Sequence, residues 1–283
     1  MSNTPNLENL QNICSQVRRD IVRMVHAVQS GHPGGSLGCT EYFVALYNHV
    51  MEYDKSFNME GKNEDMFFLS NGHISPVFYS ALARAGVFEV KELDTFRKMG
   101  TRLQGHPATE EGLPGIRIAS GSLGQGLSAA IGVALAKKIN NDDKTVHVLM
   151  GDGEQQEGQV WEAAMFAAHN KVDNLIAAID FNGQQIDGPT DDVNSLGDLK
   201  AKYISFGWDV LECDGNIMTE LLETMDAAKA KTGNGKPVLI LMKTEMGKGI
   251  DFMEGTHKWH GIAPNDEQLA DALSQLEETL GDY

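Results

Sequence analysis

The sequence has few cysteines, few basic residues and no long apolar run. Only three of its 283 residues are cysteine (Cys14, Cys39 and Cys213), and no two of them form a CxxC pair. This pattern suggests neither a disulfide framework nor a zinc knuckle, and it fits a reducing compartment. No apolar run approaches the roughly 18 residues of a membrane helix. The polar segment Met1–Asn12 also lacks a signal-peptide core, so we expect a cytoplasmic protein without a membrane partner.

The excess of acidic over basic residues bears on which molecules the protein can bind. Lysine and arginine together number 23 against 40 aspartates and glutamates, which gives a formal net charge of −17. Such a charge argues against nucleic acid as the main partner. It does not exclude an anionic small substrate, because a pocket can be locally positive. With 41% apolar residues the chain can also bury a sizeable core.

Apolar residues at steps of three and four mark the first helix. Its apolar face comprises Leu10, Ile13, Cys14, Val17, Ile21, Met24, Val25 and Val28. Arg18, Arg19 and Arg23 are expected on the other side of this helix. Gly31 is expected to end it, and Pro33 with the two following glycines predicts a loop.

Short apolar strands alternate with helical segments over the rest of the chain. The predicted strands are Met66–Leu69, Val146–Met150, Asn174–Asp180, Trp208–Cys213 and Pro237–Lys243. Helices are expected near 39–52, 75–85, 125–139 and 158–171. A final helix, capped by Asn265, is expected from four spaced leucines: Leu269, Leu273, Leu276 and Leu280.

This alternation predicts an α/β fold, namely a doubly wound, mainly parallel sheet with helices on both faces. We find no repeat, no low-complexity linker and no composition shift that would divide the chain. Residues 1–283 are therefore predicted to form one domain.

The strongest chemical signal is Gly151-Asp152-Gly153 followed by a distant Asn182. Each directly follows an apolar strand, and parallel strands joined by a helix open their carboxyl ends on the same edge of a sheet. Asp152 offers an anionic oxygen and Asn182 a neutral one, which suits Mg²⁺ or Ca²⁺. The glycines let the backbone approach closely, and the next helix points its N-terminus at an anion. Together these features predict a site for a diphosphate held through a divalent cation.

These glycine segments also allow simpler interpretations. Alone, Gly-Asp-Gly is more often an ordinary tight turn, and Asn182-Gly183 could be a second turn. The matched placement at two strand ends reverses that preference. Other phosphate signatures are absent: Gly233–Pro237 does not match GxxxxGK[ST], and Gly121–Gly126 lacks the GxGxxG spacing although it opens a helix.

Further blocks rich in glycine and histidine accompany this pair. They are Gly31–Ser36, Ser70–His73, Gly105–Pro107, Gly121–Gly126, and Gly247–Gly249 ahead of His257–Gly261. The Gly-Asp-Gly and Asn pair resembles the thiamine diphosphate motif, and the blocks occur in the order found in transketolases, over about residues 15 to 262. The chain therefore resembles the transketolase family. That resemblance implies the thiamine diphosphate-binding fold and transfer of a two-carbon ketol unit from a ketose (phosphate) to an aldose (phosphate) in the pentose phosphate pathway.

The resemblance also implies roles for individual residues. Mg²⁺, with Ca²⁺ as a substitute, would be held by Asp152, Asn182 and the backbone carbonyl of Gln184. Besides Asp152 and Asn182, the cofactor contacts would be His73, Gly121, Leu123, Gly153, Glu157 and His260. Glu157 would link cofactor sites across a dimer, but a glutamate in the first turn of a helix is also favoured by the helix dipole alone.

The nine histidines divide by their surroundings in the sequence. His26, His49, His147 and His169 lie within helix or strand patterns, which favours structural roles, and His257 is left undecided. By family resemblance, the loop residues His32, His106 and His260 would be catalytic, contacting the carbonyl and hydroxyl oxygens of the donor sugar. Imidazole suits this chemistry because it donates and accepts protons near neutral pH.

The chain is less than half as long as a full transketolase. It resembles only the diphosphate-binding domain, as in split transketolases. The pyrimidine-binding domain, its activating glutamate and the C-terminal domain are expected on a partner chain, as are most residues that would recognise a phosphate on the acceptor. We expect a heterotetramer of two copies of each chain, with homodimer contacts as well.

Other function classes remain as alternatives. One is a subunit of a deoxyxylulose-phosphate-synthase-like enzyme. Another is the α subunit of a 2-oxoacid dehydrogenase, which is not expected to carry these Gly-His blocks. A third is a non-catalytic thiamine diphosphate-binding protein. A neighbouring reading frame that encodes a pyrimidine-binding domain would favour the enzyme.

Overall fold

A five-stranded parallel sheet forms the centre of the molecule. The computed structural model describes residues 5–283, so the first four residues of the polar segment Met1–Asn12 lie outside the described part. In chain order the strands are β1 (Met66–Leu69), β2 (Val146–Gly151), β3 (Leu175–Phe181), β4 (Gln184–Gln185), β5 (Gly188–Pro189), β6 (Asp209–Asp214) and β7 (Val238–Lys243). The sheet has the order β1-β2-β3-β7-β6, and β4 and β5 form a separate antiparallel ribbon. Every neighbouring pair within the sheet is parallel, which confirms the predicted arrangement.

Ten α-helices connect and cover these strands in the described part of the chain. They are α1 (Leu7–Val28), α2 (Pro33–Gly38), α3 (Thr40–Ala45), α4 (Ser75–Arg84), α5 (Gly126–Ile139), α6 (Gly158–His169), α7 (Thr190–Asn194), α8 (Leu199–Phe206), α9 (Met218–Lys231) and α10 (Asp266–Gln275). A π-helical turn, Leu46–Val50, continues α3. Among residues 5–283, no helix is both long and apolar enough to cross a membrane.

The sheet is covered by helices on both faces, as predicted. Helices α1, α3, α4 and α9 contribute to one buried core, and α5, α6 and α8 contribute to the other. Along β3 the side chains alternate between them: Ile176 and Ala178 belong to the first core, and Leu175, Ala177 and Ile179 to the second. Because both faces are buried, β3 appears in the sequence as a continuous apolar run.

The direction of winding reverses within this sheet. The chain passes from β1 through β2 to β3, then skips one position to β6 at the edge and returns to β7 through α9. The chain after β3 forms α8, which packs in the second core. The chain after β7 packs in the first core, through Ile250 and Met253. The connections that follow β3 and β7 therefore lie on opposite faces, and open α/β sheets bind their ligands at the carboxyl ends of the strands near such a reversal.

Two predictions about the helices were wrong, namely the loop at Pro33 and the end of the last helix. The segment at Pro33, where a loop was expected, is helix α2. A proline in the first turn suits a helix, and the glycines of α2 permit close packing against the segment that follows β7. For example, a Cβ on Gly38 would lie 2.9 Å from the carbonyl oxygen of Glu245. The helix expected over 39–52 is α3 followed by the π-helical turn. Helix α10 has the predicted Asn265 cap but ends at Gln275, so Leu276 and Leu280 lie beyond it.

The arginine side of α1 is also buried in part. Arg18 contacts Glu41 at 2.6 Å and Arg19 contacts Asp282 at 2.7 Å, and both arginines are 8% exposed. Arg23, which also contacts Asp282, is less deeply buried. The C-terminal segment and α3 cover this side, and a carboxylate partner makes each buried guanidinium tolerable.

Candidate active site

A cavity of about 300 Å³ opens where β2 and β3 end, beside the segments that follow β1 and β7. Its lining includes every site residue predicted from the sequence except His106. Those residues are His32, His73, Gly121, Leu123, Asp152, Gly153, Glu157, Asn182, Gln184 and His260. His257 and the four histidines expected to be structural do not line it. The structure therefore brings together residues more than two hundred positions apart in the chain.

The two strand-end motifs are in direct contact. Asp152 follows β2, and its Oδ2 accepts a hydrogen bond from the backbone N–H of Gly183 at 2.6 Å. The Asn182 Oδ1 accepts from the backbone N–H of Gln184 at 2.8 Å, while its Nδ2 donates to Asp180 Oδ2 at 3.0 Å. The predicted juxtaposition of Asp152 and Asn182 is thus present.

Two buried carboxyl groups, those of Asp152 and Asp180, lie at this end of the cavity. Burial and the nearby charge of Asp180 raise the pKa of Asp152 to about 7, and burial raises the pKa of Asp180 as well. Both accept hydrogen bonds from neutral donors, which for Asp180 are the Thr244 hydroxyl and the Asn182 amide. A cation would stabilise this pair of charges.

The donor set fits a hard divalent cation. Asp152 and Asn182 supply oxygen atoms, and Gln184 on β4 lies on the same wall. In addition, Asn71 lines the cavity, and its buried Oδ1 has no hydrogen-bond partner. Among residues 5–283, no three His, Cys, Asp or Glu side chains cluster as a metal site. The candidate ligands are of a different kind, because they include one carboxylate, one amide and one backbone carbonyl.

Four histidines cluster at the other side of the cavity. The ring centroids of His73 and His260 are 5.0 Å apart, and His32 lies 5.2 Å from His73 and 5.6 Å from His260. His106 lies outside the lining, with its ring 6.1 Å from that of His32. The buried Nδ1 atoms of His32 and His260 have no hydrogen-bond partner, so they remain available to a ligand.

These imidazoles are held in their neutral form. Burial lowers the pKa of all four, and it lowers the pKa of His32 to about 4. The positive Arg97 guanidinium lowers the pKa of His32 and His106 further. A neutral imidazole carries one donor and one acceptor nitrogen, so the cluster can both give and take hydrogen bonds at sugar oxygens.

Gly121 has a conformation and a neighbour that both require glycine. Its φ is +129°, and a Cβ at this position would lie 2.8 Å from Cδ2 of His106. The absence of a side chain lets the glycine loop before α5 lie against His106. The same loop continues to Leu123, which lines the cavity.

Comparison with known proteins assigns the chain to a family. Residues 10–281 match the thiamine diphosphate-binding domain of transketolase. The chain belongs to the transketolase family. This match confirms the predicted family, the cofactor and the role as one subunit of a thiamine diphosphate-dependent transketolase.

Similar transketolases fall into two length classes. The chain is 38% identical to an apulose-4-phosphate transketolase subunit of Phocaeicola vulgatus, covering 97% of this chain and 96% of that one. It is 39% identical to the 6-deoxy-6-sulfo-D-fructose transketolase subunit of a Clostridium species, covering 95% and 96%. It is 34% identical to human transketolase but covers only 42% of it.

Solved transketolase structures confirm the fold. A transketolase of Pichia stipitis superposes with a TM-score of 0.86 at 32% identity, covering 94% of this chain and 40% of the other. A transketolase of Leishmania mexicana gives 0.86 at 30% identity, covering 98% and 43%. The chain thus spans about two fifths of the length of these solved transketolases.

Some residues that line this cavity were not predicted from the sequence. Asp180, at the end of β3, is an acidic residue in an apolar run, a signal that could have identified it. Glu154 and Asn71 lie in polar turns, where nothing distinguishes a buried side chain from an exposed one. Ile186 lines the cavity yet is 62% exposed, an apolar side chain in an otherwise polar loop.

Glu157, a predicted site residue, is the exposed N-cap residue of α6 and lies at the cavity edge.

Proposed function

We propose that this chain holds the diphosphate and metal end of thiamine diphosphate in the cavity and presents histidines to a sugar substrate. The observation that carries the proposal is the position of the histidine cluster, on the same cavity as the contacting Asp152 and Asn182 motifs. One end thus suits a diphosphate with a divalent cation, and the other suits proton transfer at oxygen atoms.

One group of residues would bind the cofactor and its metal ion. Asp152, Asn182 and the Gln184 carbonyl would hold Mg²⁺, with Ca²⁺ as a substitute, and Gly153 would contact the diphosphate. Gly121 and Leu123 would line the cofactor. When bound, thiamine diphosphate supplies the nucleophilic carbon and the electron sink of the reaction.

The histidines would act on the substrate. His32, His106 and His260 would orient the donor sugar and move protons at its carbonyl and hydroxyl oxygens, while His73 and His260 contact the cofactor. Their lowered pKa keeps them neutral near pH 7, so each can accept a proton from a hydroxyl. Two relatives are named for a sugar phosphate and a sulfosugar, which supports a sugar with an anionic group as substrate.

We further propose that residues 1–283 act as one diphosphate-binding domain and that a partner chain completes the site. Relatives covered along nearly their whole length are named as subunits, which supports a partner. That partner would supply the pyrimidine-binding and C-terminal domains, and Glu157 would take part in contacts between cofactor sites. We propose a complex of two copies of each chain in the cytoplasm, in keeping with three free cysteines.

Reconstitution tests this proposal. The purified chain is assayed alone and with its partner for ketol transfer from a ketose phosphate to an aldose phosphate, with thiamine diphosphate and Mg²⁺ present. We expect no transfer by the chain alone and full activity at a fixed ratio of the two chains. Transfer by the chain alone would contradict the need for a partner. Cofactor binding without transfer in the assembled complex would favour the non-catalytic alternative.

A further inference from the structure

Glu154 is a buried carboxylate next to the Gly-Asp-Gly motif, and the roles above leave it unused. It is 1% exposed and forms part of the cavity wall. Its Oε1 accepts hydrogen bonds from the Ser70 hydroxyl and from the Gly124 backbone N–H at 2.6 Å. Its Oε2 accepts from the Gly151 backbone N–H at 3.0 Å. One side chain therefore has three donors.

The three donors come from three separate segments of the chain. Ser70 directly follows β1, Gly124 lies in the glycine loop before α5, and Gly151 ends β2. Ser70 also connects Glu154 to the first residue of α5, because its Oγ accepts a hydrogen bond from the Gly126 backbone N–H at 3.0 Å. These segments lead directly to the cavity residues Asn71, Leu123 and Asp152.

This arrangement is an unfavourable way to stabilise a fold. All three donors of Glu154 are uncharged, and a buried carboxylate without a positive partner carries a desolvation penalty. A neutral side chain of the same size would avoid that penalty but could not accept from all three donors. Glutamine would offer one acceptor oxygen and would turn its NH₂ group toward an N–H or O–H donor.

We propose that Glu154 is a positioning residue that sets the spacing of the three segments forming the diphosphate cradle. It acts through the backbone of Gly124 and Gly151 and holds the Gly-Asp-Gly turn against the glycine loop. The proposal rests on the proposed function, because it assumes that a diphosphate occupies this cavity.

The test compares Glu154→Gln with Glu162→Gln, a matched control that removes the same charge from an exposed position on α6. Calorimetry measures the binding of Mg²⁺ with thiamine diphosphate, and of Mg²⁺ with inorganic pyrophosphate, to the full chain. Thermal unfolding is measured on the same samples. In the complex with the partner, the KM for cofactor and kcat at saturating cofactor are measured separately.

For Glu154→Gln we expect at least tenfold weaker binding of both probes, equivalent to about 1.4 kcal/mol. The unfolding temperature should stay within a few degrees of that of the control, because the loss of the buried charge offsets the cost of the donor left unpaired. The KM for cofactor should rise more than kcat falls. Binding within twofold of the wild type would overturn the proposal. A large drop in unfolding temperature with binding preserved in the folded fraction would also overturn it, since the role would then be structural.

Ser70→Ala provides a second, milder variant if Glu154→Gln does not fold. It removes one donor from the carboxylate and should weaken pyrophosphate binding in the same direction, whereas unchanged binding would overturn the proposal. The outcome also separates this inference from the proposed function. If the wild-type chain and its complex bind neither probe, the proposed function and the role of Glu154 are both wrong. If wild type and Glu154→Gln bind the probes equally, only the role of Glu154 is wrong.

Discussion

Replacing Gly121 by alanine would test how closely the glycine loop must approach His106. The new Cβ would lie 2.8 Å from Cδ2 of the imidazole, whereas ordinary contacts begin near 3.4 Å. The ring or the loop must therefore move by about 0.6 Å. A displacement near 1 Å can cost about a hundredfold in rate when a catalytic group loses its alignment. We expect Gly121→Ala to lower ketol transfer by the assembled enzyme by about tenfold to a hundredfold.

The same substitution also has a conformational cost. Alanine at a φ of +129° is strained by roughly 1–3 kcal/mol, and in a domain of this size about 1 kcal/mol lowers the unfolding temperature by about 2 °C. Gly233→Ala is the matched control, because Gly233 has a φ of +80°, no atom within 4 Å of its added Cβ, and a position at the amino end of β7.

Activity and unfolding temperature of both variants separate the two effects. The control should lose some stability while keeping the wild-type rate. Gly121→Ala should lose both stability and rate, even at a temperature where it is fully folded. If its rate under those conditions equals that of the control, the contact with His106 does not position a catalytic group.

The remaining predictions concern the metal, the substrate histidines and pH. Asp152→Ala should abolish Mg²⁺-dependent thiamine diphosphate binding by the assembled enzyme and keep the fold; unchanged affinity in calorimetry would disprove the metal assignment. His32→Ala and His106→Ala should each lower transfer by roughly 10²–10⁴-fold, with a smaller effect on cofactor affinity; a loss of affinity with full turnover at saturating cofactor would reverse the assignment. Because the pKa of His32 falls to about 4 on folding, the unfolded chain binds more protons between pH 6.5 and 4. The wild type should therefore lose stability relative to His32→Asn as pH falls through that range, by at most about 3 kcal/mol in denaturant titrations; a constant difference would show that the ring is not desolvated.

The strands and their parallel arrangement could be predicted from the sequence, but the strand order could not. The strands are short and separated by helices, and all but β6 are apolar and buried, so each of those signals is local and strong. The final helix shows where such signals fail. Leu276 follows the helical spacing and is buried, but it packs against the core from an extended segment. Periodicity therefore predicted the burial of Leu276 correctly and its conformation wrongly.

The candidate site was predictable where its residues follow strands or form glycine blocks. Asp152 and Asn182 meet because parallel strands end on one edge, which follows from topology alone. The buried state of Glu154 could not be predicted in the same way, since it depends on which distant segments cover this side chain. Likewise, the pairing of Arg19 with Asp282 joins the two ends of the chain. No local pattern encodes a contact of that kind.

The histidine cluster has a consequence for how the protein is made. His32 and His260 are about 230 residues apart in the chain, yet their rings lie 5.6 Å from each other. Contacts between residues this far apart in the chain form slowly, because the loop-closure entropy is lost before the contact compensates for it. During synthesis, the histidine cluster can therefore form only after nearly the entire polypeptide has left the ribosome. A nascent or truncated chain that ends before His260 would thus lack one of the four imidazoles of this cluster.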